Sequence, residues 1–308
     1  MKLINIQLRY FACLSFMLCG TLFAQDIEPR RWNPLPSGTT ILGITYGHNS
    51  GYVGFNPILE IKDTKVKKGF LTMGYTHFFT FAEKLMRFDV ALPFHKVKWD
   101  GLLSGEPESV KRTGMADPMF RLSVLHPLGA PTSEYKVSDD DSKETINTVV
   151  GAAISVGVPL GEYFEDDLLN LSSNSYMIRP HIGVQHTRGP WSYELTGSIF
   201  FFTDNDNFFD GNKFEQKPFY SAQAHIIRIF EPGVWGSVSA GYGQGAASKV
   251  NGKDRDDKRE GFLWGVAMGV PLTADQGLKF SYIWAKTQTD TEPRFEADTF
   301  VVGWTIRF

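Results

Sequence analysis

Cysteine is nearly missing from this chain of 308 residues: there are two, Cys13 and Cys19, both near the start. Residues 1–24 read as a secretory signal peptide, with Lys2 and Arg9 ahead of a mostly apolar run from Phe11 to Phe23. Cleavage is expected between Ala24 and Gln25, although Leu22 is larger than the residue preferred three positions before the cut. Lipoprotein processing at Cys19 is disfavoured by the bulk of Leu18. A chain starting at Gln25 has no thiol, which excludes a disulfide framework, Cys-ligated zinc and a Cys nucleophile.

Positive charge is also in short supply. Of 31 Lys and Arg, two leave with the peptide, so 29 stand against 34 Asp and Glu, a net −5. That balance carries no footprint for nucleic acid. Long apolar runs are missing too. Beyond residue 24 no stretch of eighteen occurs, so no membrane-spanning helix is expected.

What is abundant is aromatic and small. Phe, Tyr and Trp make up 14% of the chain, beside 30 Gly. A soluble β-sandwich could share that composition, so the pattern must decide. At the end of the chain Phe300, Val302, Trp304, Ile306 and Phe308 fall on one face, while Thr299, Val301, Gly303, Thr305 and Arg307 fall on the other, largely polar, face. A period of two means a strand with one apolar side. The terminal Phe308 resembles the signal by which the barrel-assembly machinery recognises outer-membrane proteins. The same alternation runs through Leu278–Trp284, Phe262–Val270, Trp191–Phe201, Ile146–Val158 and Met86–Leu92. Runs of about 9–13 residues are what a tilted strand needs to cross a bilayer.

Strands are expected near 38–48, 68–80, 84–98, 114–128, 144–160, 175–187, 190–203, 216–230, 233–245, 260–271, 277–288 and 296–308. Short connections (Phe81–Glu83, Arg188–Gly189, Glu231–Pro232, Leu272–Gln276) alternate with long polar ones. The fold expected is therefore all-β: a transmembrane up-and-down antiparallel barrel of about 12 strands with short periplasmic turns. Residues 25–37 would form a short periplasmic N-terminal segment, and 38–308 the barrel in outer-membrane lipid. Gly129–Lys143 breaks the pattern, being long and acidic where a turn is due.

With strands in place, several stretches resemble a known group. They are Glu28-Pro29-Arg30-Arg31-Trp32 with Leu35-Pro36, Asp100-Gly101-Leu102-Leu103 with Gly105-Glu106-Pro107, and Gly114-Met115-Ala116-Asp117-Pro118 leading to Arg121-Leu122. Further on stand Phe201-Phe202-Thr203-Asp204-Asn205, Phe208-Phe209-Asp210-Gly211, Pro218 and Tyr220. Together they are similar to the outer-membrane proteins of the "MetA-pathway of phenol degradation" family. The resemblance implies a channel or transporter for small hydrophobic or aromatic compounds, and brings no binding motif with it.

Parity places Arg87, Asp89, Asp117, Arg121, Arg179, His181, Glu194, His225 and Arg307 inside the lumen. Mixed charges there can brace the interior or form a constriction that selects solutes. Phe200 and Phe202 share the inward parity, so they can line a greasy entrance, although the crowd of aromatics around them also fits an interfacial girdle. Asp204, Asp206 and Asp210 lack the Glu of a calcium loop and read as a solvated acidic loop. No metal or other cofactor is expected. Two alternatives stay open: a lipid-active enzyme using His77 or His186 with a nearby hydroxyl, and a structural or adhesive barrel with a sealed lumen. No Gly-X-Ser-X-Gly elbow supports the first.

Overall fold

The computed structural model describes residues 27–53, 61–103, 106–128, 146–167, 169–231, 233–289 and 294–308. Both the expected signal peptide, residues 1–24, and the 129–143 stretch lie outside the described residues.

Alternating side chains build one large antiparallel sheet. Its strands are β1 (Thr40–Val53), β2 (Ile61–Phe81), β3 (Lys84–Leu103), β4 (Glu106–Met115), β5 (Met119–Leu128), β6 (Ile146–Gly157), β7 (Met177–Arg188) and β8 (Trp191–Phe202). Two short strands, β9 (Asn205–Phe208) and β10 (Asn212–Gln216), precede β11 (Phe219–Glu231) and β12 (Val234–Gly245). The chain continues through β13 (Ser248–Val250), β14 (Lys253–Asp254), β15 (Arg259–Pro271), β16 (Gln276–Thr289) and β17 (Arg294–Arg307). Neighbours in sequence pair, β1 pairs with β17, and β2 pairs with β3, so the sheet closes on itself without an edge. Strands β4 and β5 occupy one position in the wall, which makes a barrel of 12. The four short strands form a separate sheet, in the order β14-β13-β10-β9, from the connections β8–β11 and β12–β15.

Two departures from the expected strands matter. First, β1, β2 and β3 run on past the expected loop starts at Asn49 and Trp99, and β4 begins at Glu106, so these four form a tall extended wall. Second, the expected strand 114–128 is broken at Ala116-Asp117-Pro118, between β4 and β5. Pro118 has no N–H to give to a ladder, and proline interrupts sheets for that reason.

The outward face is the apolar one. Ile44, Tyr46, Met73, Phe94, Ile154, Ile182, Leu195, Val238, Phe262 and Phe300 are all exposed. On β2 this belt runs from Leu71 to Phe81, ten residues of rise, or about 25 Å once strand tilt is included. That is the height of a bilayer's apolar band. The inward face is polar over much of its area, where Ser123, Ser155, Ser192, Thr196, Ser198, Gln223, Ser237 and Ser239 are buried, and carries an apolar patch of Phe78, Leu85, Leu125 and Val149.

Candidate functional site: the occupied lumen

The stretch set down above as a short periplasmic segment enters the barrel before turning into β1. Trp32, only 1% exposed, lies against the inner wall and donates from Nε1 to Thr196 Oγ1 on β8 at 2.7 Å. It fits because Gly151 on β6 and Gly183 on β7 carry no side chain: a Cβ at either would stand about 2 Å from the indole. The indole also meets the His181 ring edge-on at 5.8 Å.

Around it the charges interlock. Asp89 on β3 and Arg121 on β5 are cross-strand partners, joined at 2.9 Å. Arg87 closes on Asp89 at 2.8 Å, and Thr76 on β2 donates to the same carboxylate at 2.6 Å. Glu28 of the segment bridges Arg121 at 2.7 Å and Arg31 at 2.8 Å. Arg31 in turn reaches His181 Nδ1 at 2.7 Å, while its carbonyl accepts from Arg87 at 3.0 Å. The backbone N–H of Arg30 donates to Glu194 on β8 at 2.8 Å. Burial by itself would raise the Glu28 carboxyl, but Arg121 and Arg31 outweigh it and hold it well below the usual carboxylate range. The carboxylate is thus kept charged, with its partners placed to satisfy it.

Outward of this knot the lining turns aromatic. Phe200 on β8 faces Phe219 on β11, ring centroids 5.8 Å apart, with Met177, Phe202 and Ala246 packed beside them. The Arg179 guanidinium lies 4.5 Å from the Phe200 centroid, a cation–π contact. Phe200, 1% exposed, is therefore an interior side chain rather than part of a girdle. At the opposite end a cavity of about 410 Å³ lies beside the segment, lined by Arg30, Leu35, Phe78, Trp235, Lys279 and Arg307 among others.

Sequence parity and structure agree on Arg87, Asp89, Arg121, Arg179, His181, Glu194 and His225, all inward; His225 Nδ1 bonds Ser239 Oγ at 2.8 Å. One residue differs. Asp117 sits in the strand break and accepts from the backbone N–H groups of Gly161 and Ser173 and the Ser173 hydroxyl, so it pins the 161–173 connection instead of joining the knot. Arg307 keeps its inward parity at the rim, half exposed, where it lines the cavity and lies 3.6 Å from Asp275. The connection that Asp117 holds turns inward as well: Leu169 packs with Val66, Val97, Trp99 and Phe295, and Arg112 pairs with Asp167 at 2.7 Å. Sequence reasoning missed Glu28, Arg31 and Trp32 as lumen residues; for Trp32 the inward-parity Gly151 and Gly183 were the available signal. Asp204 is paired with Lys213 at 2.7 Å. Among the described residues no group of three or more His, Asp or Glu side chains is arranged to hold a metal.

Outward, His77 Nδ1 is 2.9 Å from Thr40 Oγ1, and His186 Nδ1 is 2.9 Å from Thr148 Oγ1. Among the described residues no carboxylate or amide completes either pair.

Closed wall, lipid-facing belt and polar interior define an outer-membrane β-barrel. The chain belongs to the family described as putative MetA-pathway of phenol degradation, which matches residues 46–302. An outer membrane channel of the COG4313 group from Pseudomonas putida F1 superposes with a TM-score of 0.76 at 20% identity, covering 92% of this chain and all of that one. The CymD monoaromatic hydrocarbon channel (TM-score 0.43, 9% identity, 89% of each chain) is more distant. So is a Pseudomonas aeruginosa FadL homologue (0.41, 8%, 97% of each). No curated protein matches the sequence.

Proposed function

We propose that this protein is an outer-membrane channel for small hydrophobic or aromatic solutes, not an enzyme, and that its N-terminal segment is the removable obstruction. The observation that carries this reading is the contrast between the segment and the wall behind it. Ion pairs and hydrogen bonds exchangeable with water hold most of the segment, and one apolar anchor, Trp32 packed with Phe78, Leu85, Leu125 and Val149, adds to them. Beside the segment, on β11 and β12, Ser221, Gln223 and Ser237 carry buried polar atoms with no partner among the described residues, which an interior tolerates only when wet. A polar path flanked by the Phe200–Phe219 cluster suits a solute with an aromatic body and a small polar group. The matched family supports the solute class.

Residues 1–24 would direct export, and Phe308, lipid-facing and 69% exposed at the end of the last strand, would be read by the barrel-assembly machinery. Against catalysis stands the lack, among the described residues, of an orienting third group at the His77 and His186 pairs. A sealed structural barrel is the second reading, favoured by the segment and the Leu169 connection filling the lumen from both ends.

Planar-bilayer conductance and liposome swelling separate the two. Protein lacking residues 26–33 should conduct at least tenfold more than the full chain, and phenol-sized solutes should enter liposomes faster than sugars of equal mass. No gain in conductance from the shortened chain would remove the channel reading and leave the structural one.

A further inference from the structure

Above the apolar belt, on one side of the barrel only, the lipid-facing wall turns basic. Outward parity on β2, β3 and β4 brings Lys65, Lys67, Lys96, Lys98 and Lys111 to one face. Register makes the crowding direct: Lys67 stands opposite Lys98, and Lys98 stands opposite Lys111, across three consecutive strands. Lys96 lies one step lower, between Gly69 and Thr113. Lys67, Lys96 and Lys111 are exposed. Among the described residues, Lys98 alone of the five has a carboxylate in ion-pair reach, Asp100 at 2.6 Å, while Lys65 lies over the Tyr52 ring at 5.6 Å.

Like charges directly opposite one another in a sheet are destabilising. Three in a row are therefore a cost that the barrel's own structure offsets only in part, through Asp100 beside Lys98 and Lys67, leaving Lys111 and Lys96 with no carboxylate in ion-pair reach among the described residues. The height of the row is informative. On β2 the last belt residue is Leu71, and Lys67 follows four residues outward. On β3, Phe94 is followed by Lys96 and Lys98; on the next wall position, Met115 is followed by Lys111. Each lysine thus sits just past the hydrocarbon, at the level of lipid headgroups, on the end of the barrel opposite the paired Thr40 and Phe308. Continuing the row the other way gives Ser50 and then Asp298, which accepts from the Tyr282 hydroxyl, and Glu296 accepts from Trp284 at 3.2 Å. The basic face is therefore local, not a general feature of the rim.

We infer that the Lys67–Lys98–Lys111 row, with Lys96 and Lys65, is a docking surface for the phosphates of an outer-leaflet lipid. Primary ammonium groups on flexible stems, rising from an apolar wall, complement a headgroup whose acyl chains lie against Tyr46, Leu71 and Phe94. A phosphate set among them would turn mutual repulsion into charge-assisted hydrogen bonding. This surface is separate from the lumen and independent of what the channel carries.

The test uses the folded full-length protein in detergent, probed with bis-phosphorylated lipid A, the same lipid with its phosphates removed, and inorganic phosphate. Bound lipid is read by native mass spectrometry, and the unfolding midpoint by heat-modified mobility. The protein should hold the phosphorylated lipid at least tenfold more tightly than the dephosphorylated one. Lys67→Gln with Lys111→Gln, which leaves Lys98–Asp100 intact, should lose that preference while unfolding without lipid at the same temperature or higher. Lys249→Gln with Lys253→Gln, in the outer sheet, should keep it. Lys111→Gln alone, with a smaller loss, serves if the double variant does not fold. Equal affinity for the two lipids, or a preference surviving in the double variant, overturns the inference. So does inorganic phosphate raising the midpoint as much as the lipid, which would make the row a site for free anions.

Discussion

Arg121 is the residue on which the lumen turns, because it touches both the wall, through Asp89, and the segment, through Glu28. Removing one member of a buried ion-pair group leaves the others uncompensated, at a cost on the order of 3–5 kcal/mol. Arg121→Ala should therefore lower the unfolding midpoint and raise conductance together, since Asp89 and Glu28 are left facing each other. A variant with unchanged midpoint and unchanged conductance would falsify the shared role. Gly183 tests the same contact from the side of shape. Its missing Cβ is where the Trp32 indole lies, so Gly183→Val should expel the segment without touching a charge. Trp32 fluorescence should then shift to the red, as for an indole moved into water, and conductance should rise.

Parity made most of these residues legible. Once Phe88, Leu122 and Tyr193 face lipid, Arg87, Asp89, Arg121 and Glu194 must face inward, because a strand alternates without exception over such lengths. Asp117 escaped the rule because Pro118 interrupts the strand that parity assumed. Within the segment's own sequence Glu28 and Trp32 were illegible for a different reason. Their partners lie 93 and 164 positions away, and no local pattern in 27–36 announces a contact at that distance.

Among the elements, the N-terminal segment has a chemistry of its own. Its Glu28 carboxyl is held below the ordinary range by Arg121 and Arg31 against the opposing effect of burial. The sign follows from linkage: a carboxylate with a lowered value in the docked state contributes fully above the free value near 4.5, and that contribution is lost as pH falls through the lowered value. Channels closed at neutral pH should accordingly open at pH well under 4.5, and Glu28→Gln should conduct at neutral pH as the full chain does in acid. Recording both proteins from pH 7 to pH 3 settles it; parallel curves would count against Glu28 as the fastening. The strands themselves were read from the sequence to within a few residues where one face meets lipid. The extensions of β1–β4 were not, since above the belt Lys and Ser replace apolar residues and the alternation loses its contrast.

For the molecule as a whole, the paired ends at Thr40 and Phe308 fix one rim, and the β9–β14 sheet belongs to the other. A cysteine in place of Asp256 should therefore react with an impermeant reagent on intact cells, and one in place of Glu231 should not. The reversed pattern would turn the barrel over in the membrane, and with it the level assigned to the lysine row.

The barrel is also a problem in ordering events. Residues 28–32 grip strands β3, β5, β7 and β8, yet they are tied directly to β1, whose second neighbour, β17, is the last to be made. The leading residues must therefore be inside before the final seam joins, or be threaded into a finished cylinder. The first course leaves a nascent hairpin array wrapped around its own beginning, with high contact order and slow closure. The obstruction would then serve as a mandrel during assembly, giving the wall something to curl around while its lumen is still open along one side.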